Sequence, residues 1–153
     1  MKRFYTPVLL LTLLAACVLG CRNTSVIIAT GLRVELTAIT NNADGTVSAS
    51  WRMVNPNIAS YLLSSTSHKV YLNGVLLGTI TDHEPLGVPA STSVDRASKL
   101  GAGDAAASRT LAEAMTKGSG NYRVDSQIVI RIYDETVEKA TLTNSGTVPV
   151  VAK

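Results

Sequence analysis

Few residues in this 153-residue chain are of types that do chemistry at neutral pH. There are two histidines, His68 and His83. His83 stands in "DHE", between Asp82 and Glu84. That triplet offers metal-ligand types, but ligands must converge on one point, and adjacent residues of an extended chain point in opposite directions. The expectation is a solvated loop and no metal site. His68, in "TSHKVYL", is expected on an exposed strand position beside a hairpin. Serines are plentiful, yet no G-x-S-x-G elbow holds one as a nucleophile, and Ser98 and Ser108 stand in ordinary contexts. Asp134, Glu135 and Glu138 cluster after a long alternating segment. Paired carboxylates can do acid–base work, but turns attract such residues anyway. "GAGDAA" (101–106) has the form of a loop entering a helix, and Asp104 would repel the phosphate that such a helix start might otherwise bind. The chain therefore reads as no enzyme, with no catalytic residue and no cofactor.

Those residues must be placed by strands. In "GLRVELTAI", Leu32, Val34, Leu36 and Ala38 alternate with Arg33, Glu35 and Thr37, the period of a half-buried strand. "NNADG" supplies turn chemistry. "TVSASWRMV" then puts Val47, Ala49, Trp51 and Met53 on one face, so the lone tryptophan points inward and its N–H needs a partner. "SHKVYL" and "VLLGTI" flank Asn73-Gly74, a strong hairpin signal because both residues accept positive φ. "EPLGVPA" interrupts the pattern, and "STSVDRASK" reads as a further strand. In "YRVDSQIVIRIY", Val124, Ile128, Ile130 and Ile132 oppose Arg123, Asp125, Gln127 and Arg131. "KATLT" and "TVPVV" read as two closing strands. One helix is expected over Ala105–Lys117, with Asp104 as N-cap, Gly118 as C-cap, and an apolar stripe of Ala107, Leu111, Ala114 and Met115. Short alternating strands separated by turns predict an all-β, antiparallel fibronectin- or immunoglobulin-like β-sandwich with one short helix.

The first residues are of a different kind. "MKR" and the apolar "PVLLLTLLAA", too short to span a bilayer, form a secretory leader. "LAAC" (14–17) resembles a bacterial lipobox. This implies cleavage after residue 16 and acylation of Cys17. "VLGC" makes Cys21 the alternative, with Leu19 bulky for the peptidase pocket. An ordinary export signal with incidental cysteines is the simpler reading of the same residues. Both cysteines lie in this region, so the domain has no disulfide framework. The expected organisation is a signal peptide at 1–16, a lipid-anchored tether at 17–30 and a β-domain at 31–153. Val18 after the acylated cysteine, where an aspartate would favour inner-membrane retention, leans towards the periplasmic side of the outer membrane in a Gram-negative host. The 14 lysines and arginines fall to 12 when Lys2 and Arg3 leave with the leader, against 11 acidic residues. With these scattered, the nominal pI of 9.0 is no argument for nucleic-acid binding.

"RMVNPNIASY" (52–61) ends a strand abruptly. Pro56 removes a ladder donor, and Asn55 and Asn57 can close side-chain turns. The order of features around it is more specific. A strand ends in Asn55-Pro56-Asn57. A hairpin carries Asn73-Gly74 with Gly78 nearby. Val88-Pro89-Ala90 precedes the next strand, and a helix and a long strand follow. Over roughly Leu32 to Val150 this resembles the late-embryogenesis-abundant type 2 family, the LEA14-like or water-stress-and-hypersensitive-response domain. The resemblance implies a folded sandwich without catalytic residues, associated with desiccation and stress, and it makes the Asn-Pro, Asn-Gly and Val-Pro-Ala positions structural signatures. The expected function is non-enzymatic water-stress protection by an envelope protein held to the membrane by its N-terminal lipid and facing protein or lipid surfaces. The alternative is an envelope assembly module that grips a protein or an acyl ligand, the latter requiring an open apolar groove beside Leu111 and Met115.

Overall fold

A computed structural model of the chain describes residues 31–101, 103–132 and 136–153. The leader, both cysteines, the tether, Asp134 and Glu135 lie outside the described residues. Eight strands and one helix follow in order: β1 (Arg33–Asn41), β2 (Val47–Asn55), β3 (Tyr61–Leu72), β4 (Val75–Asp82), β5 (Leu86–Val88), β6 (Thr92–Lys99), α1 (Ala105–Lys117), β7 (Ser119–Ile132) and β8 (Thr136–Ala152). The domain is mostly β with one short helix.

The strands form one curled sheet in the order β4-β3-β7-β8-β1-β2-β6, with β5 on β3. The join is made by β8, which takes in both expected closing strands. Residues 136–149 pair antiparallel with β7, and Val150–Ala152 then pair parallel with Ile39–Asn41 of β1. The arms curl until their inner faces meet. Trp51 of β2 and His68 of β3 come from opposite arms, and their ring centroids are 4.6 Å apart.

Period-two burial follows from the sequence along most strands. Ala49, Trp51 and Met53 of β2 are fully buried, as are Val124 and Ile128 of β7. Trp51 Nε1 donates to Ser98 Oγ of the neighbouring β6 at 3.3 Å, which supplies the partner its burial demands. In β1 the alternation breaks: Leu32, Val34 and Leu36 are buried, but the next core residue is Ile39, and Ala38 is only half-buried. A bulge between Leu36 and Ala38 inserts one residue and shifts the phase.

The helix occupies the expected span. Asp104 accepts from Ala107 N at 2.9 Å, and Gly118 closes the C-terminus at φ 73°. Ala107, Leu111 and Ala114 pack onto the sheet, and Met115 is half-buried. Among the described residues, a cavity of about 50 Å³ lies beside Leu111, lined by Val47, Leu77, Gly103, Ala107 and Ser108, too small for an acyl chain.

Candidate functional site

The signature residues fall into two knots at opposite ends of the strands. In the first, Asn55 ends β2 with only 1% of its surface exposed. Its Nδ2 donates to the carbonyls of Ala59 at 2.8 Å, Pro89 at 2.9 Å and Val88 at 3.3 Å. Its Oδ1 accepts from Asn57 N at 3.0 Å. One side chain thus serves as backbone for two loops, tying Asn55-Pro56-Asn57 to Val88-Pro89-Ala90. Further bonds close the knot, from Ser91 N to Asn57 O at 2.8 Å and from Ala90 N to Ser60 Oγ at 3.2 Å. Gly31 sits against it at φ +92°, where a Cβ would come within 3.2 Å of Pro56 Cγ.

In the second knot, Asn73 and Gly74 take φ of 47° and 86°, as a two-residue hairpin between β3 and β4 requires. Asn73 also fixes the start of β7: its N–H donates to Asn121 O at 2.7 Å, and Asn121 N donates to its Oδ1 at 3.0 Å. Behind the hairpin, β4 runs so close to the β6–α1 connection that a Cβ on Gly78 would lie 2.4 Å from Gly101 O. In both knots, the side chains of Asn55 and Asn73 hydrogen-bond backbone groups of neighbouring segments.

His68 is not on the surface. It is fully buried, in phase with the inward residues Thr66, Val70 and Leu72 of β3. The expectation of an exposed position fails because "SSTSHK" looks polar throughout, whereas its second, fourth and sixth residues do not share a face with the rest. A bulge between Leu63 and Ser65 resets the alternation just before it. Nδ1 shares a hydrogen bond of 2.8 Å with Ser126 Oγ on β7. Trp51 covers the ring, and Nε2 and the neighbouring Thr66 Oγ1 have no hydrogen-bond partner. Burial pushes the His68 pKa down to about 4, against a small upward pull from Asp82. A serine–histidine pair can act as nucleophile and base where substrate reaches it. Here both residues have no exposed surface, and the pair is a buried polar tie between the neighbouring strands β3 and β7.

The other candidates spread apart. His83 is exposed, and Asp82 Oδ1 accepts from Glu84 N at 2.9 Å in a local turn. Among the described residues, no group of three or more His, Cys, Asp or Glu could hold a metal. Ser108 Oγ donates back to Asp104 O inside the first helical turn. Glu138 lies on β8 opposite Ile130.

The outer face of β4-β3-β7-β8 carries a shallow groove of about 330 Å³. Adjacent strands set Thr81, Ser67, Gln127 and Thr141 in one cross-strand row, and Ser65, Val129 and Lys139 in the next. This is a hydroxyl-rich surface with one ammonium, and His83 also lines it, so it is suited to hydrogen bonding with polar groups. On the other arm, the outer face is charged but self-paired, with Arg52 Nε and Nη2 on Asp95 at 2.8 and 3.2 Å. That bond holds the Asp95 carboxyl below the usual carboxylate range.

No family model matches the chain, and no curated protein does. Solved structures share its shape. The solution structure of an Arabidopsis thaliana protein superposes with a TM-score of 0.52 at 12% identity, over 79% of this chain and 79% of that one. The solution structure of a candidate late embryogenesis abundant (LEA) protein gives 0.50 at 11% identity, over 80% of this chain and 72% of that one. The fold is LEA-like.

Proposed function

We propose that this chain is a bacterial member of the late-embryogenesis-abundant type 2 group: a non-enzymatic envelope protein, lipid-anchored through Cys17 or Cys21, that protects against water loss. The observation carrying this reading is the likeness of 80% of this chain to the candidate LEA structure, taken together with the ordered Asn-Pro, Asn-Gly and Val-Pro-Ala signatures. In this reading, the two arms of the curled sheet are the sheets of a fibronectin- or immunoglobulin-like sandwich. The hydroxyl rows on the outer face of β4-β3-β7-β8 would take over hydrogen bonds that water gives to headgroups or exposed chains as it leaves. The lipobox-like "LAAC" supports anchoring in the cell envelope, on the periplasmic side of the outer membrane in a Gram-negative host.

Drying tests this directly. A labile enzyme and anionic vesicles are dried with the domain spanning 22–153 and rehydrated, with an equal mass of an unrelated β-sandwich as control. Recovered activity and retained vesicle contents clearly above the control are expected. Recovery equal to the control refutes direct shielding.

A further inference from the structure

Ile58 is 96% exposed, the most exposed of the large apolar side chains among the described residues. It is not on a loose loop. It lies between Asn57, whose carbonyl accepts from Ser91 N at 2.8 Å, and Ala59, whose carbonyl accepts from Asn55 Nδ2 at 2.8 Å. The knot therefore holds an isoleucine out into solvent, where an unpartnered apolar side chain gains nothing. The two loop segments, residues 55–60, "NPNIAS", and 88–93, "VPASTS", contain no Asp, Glu, Lys or Arg, and the nearest charges are Arg33, Glu35 and Arg52 in the groove beside Pro56 and Ser91. Leu62, 43% exposed, follows at the start of β3.

The position of this tip matters because of what enters beside it. Gly31, where the described chain begins, packs against Pro56, and β1 starts alongside the end of β2, with Arg33 opposite Val54. Residues 22–30 separate Cys21 from that point, and 18–30 separate Cys17 from it. Fully extended, these reach only about 30 Å or about 45 Å. A chain acylated at either cysteine is thus tethered at this end of the domain, and α1 lies at the opposite end of β2.

We infer that the Asn55–Ser60 loop is a membrane-contact tip, which seats Ile58 in the headgroup–acyl boundary of a phospholipid bilayer. The inference rests on the anchoring proposed above. One isoleucine adds too little apolar area to bind a vesicle firmly alone, but on a tethered domain it fixes which end faces the lipid.

The test uses the full-length chain, purified from bacterial membranes and reconstituted in phosphatidylcholine vesicles, where charge attraction plays no part. Tryptophan is the probe, because native Trp51 is fully buried and gives a constant background. Ile58→Trp is compared with Glu113→Trp on the exposed face of α1, with brominated phosphatidylcholine as quencher. The expected result is a blue shift and quenching for Ile58→Trp at least about twofold stronger than for Glu113→Trp. Equal quenching in the two variants overturns the inference, whatever the state of the cysteines. The intact mass of the same preparation decides acylation separately. An unmodified mass refutes the anchor, and with it the premise of the tip.

Discussion

Acidification should unfold this domain through one side chain. His68 is neutral in the core with a pKa of about 4, whereas an unfolded histidine titrates near 6.5. Above pH 6.5 neither state binds the proton, and His68 leaves stability unchanged. As pH falls from 6.5 to 4, the unfolded chain takes up a proton that the folded one refuses, so stability is lost at up to about 1.4 kcal/mol per pH unit. Between pH 7 and pH 4 the loss is about 3 kcal/mol, a large share of a typical domain's stability. The cause is visible in the geometry: no acceptor faces Nε2, and the ring is sealed beneath Trp51. Urea melts followed by the emission of Trp51 measure it, compared between wild type and His68→Leu at steps from pH 7.5 to 4. His68→Leu strands Ser126 Oγ and lowers stability at every pH, but that offset does not alter the slope. The wild-type midpoint should fall, relative to the variant, by roughly 1 to 3 M urea across the range. Parallel pH profiles for the two proteins, or a His68 pKa near 6.5 by NMR, would refute the reasoning.

Two further substitutions test the signature positions. Asn55→Ala strips a donor from three carbonyls and an acceptor from Asn57 N, and should cost about 2–4 kcal/mol by denaturation at pH 7. Asn55→Asp, which sets a carboxylate against the same carbonyls, should be at least as damaging and partly relieved by acid. A cost under about 1 kcal/mol for Asn55→Ala would show the knot to be incidental. Gly78→Ala places a methyl group against Gly101 O and should cost about 1–3 kcal/mol in thermal melts, whereas Gly87→Ala, with nothing within 4 Å, should stay within about 0.5 kcal/mol.

Where one strand face is uniformly apolar, the sequence states the structure. The alternation through Val47 to Met53, and the capped stripe from Ala105 to Lys117, are local patterns that local burial honours. The failures have a common cause in residues that break the code without breaking the strand. The bulges at Leu36/Ala38 and Leu63/Ser65 each insert a residue and reverse the facing of everything after it. His68 was hidden among serines and threonines, although its phase with Val70 and Leu72 was there to be read. In β8 the run "NSG" (144–146) looks like a loop between two strands because its side chains carry no apolar alternation. It stays extended because β7 supplies a complete ladder alongside. The knot at Asn55 was half legible. Both signature segments stand out in the sequence, but only the fold brings Asn55 within hydrogen-bond reach of Pro89 O, 34 residues on.

The double allegiance of β8 constrains how the chain can be made. Among the described residues, the strand ladder that joins the arm β1-β2-β6 to the rest of the sheet runs through Val150–Ala152, the last-synthesised stretch of the described strands, which pairs with β1, the first. Until those residues emerge from the ribosome, β1 has one free edge. Closure is thus a contact between the two ends of the domain, the slowest kind to find and the most exposed to mispairing meanwhile. For the exported protein proposed above, that delay would keep the sheet open until its final strand had passed through.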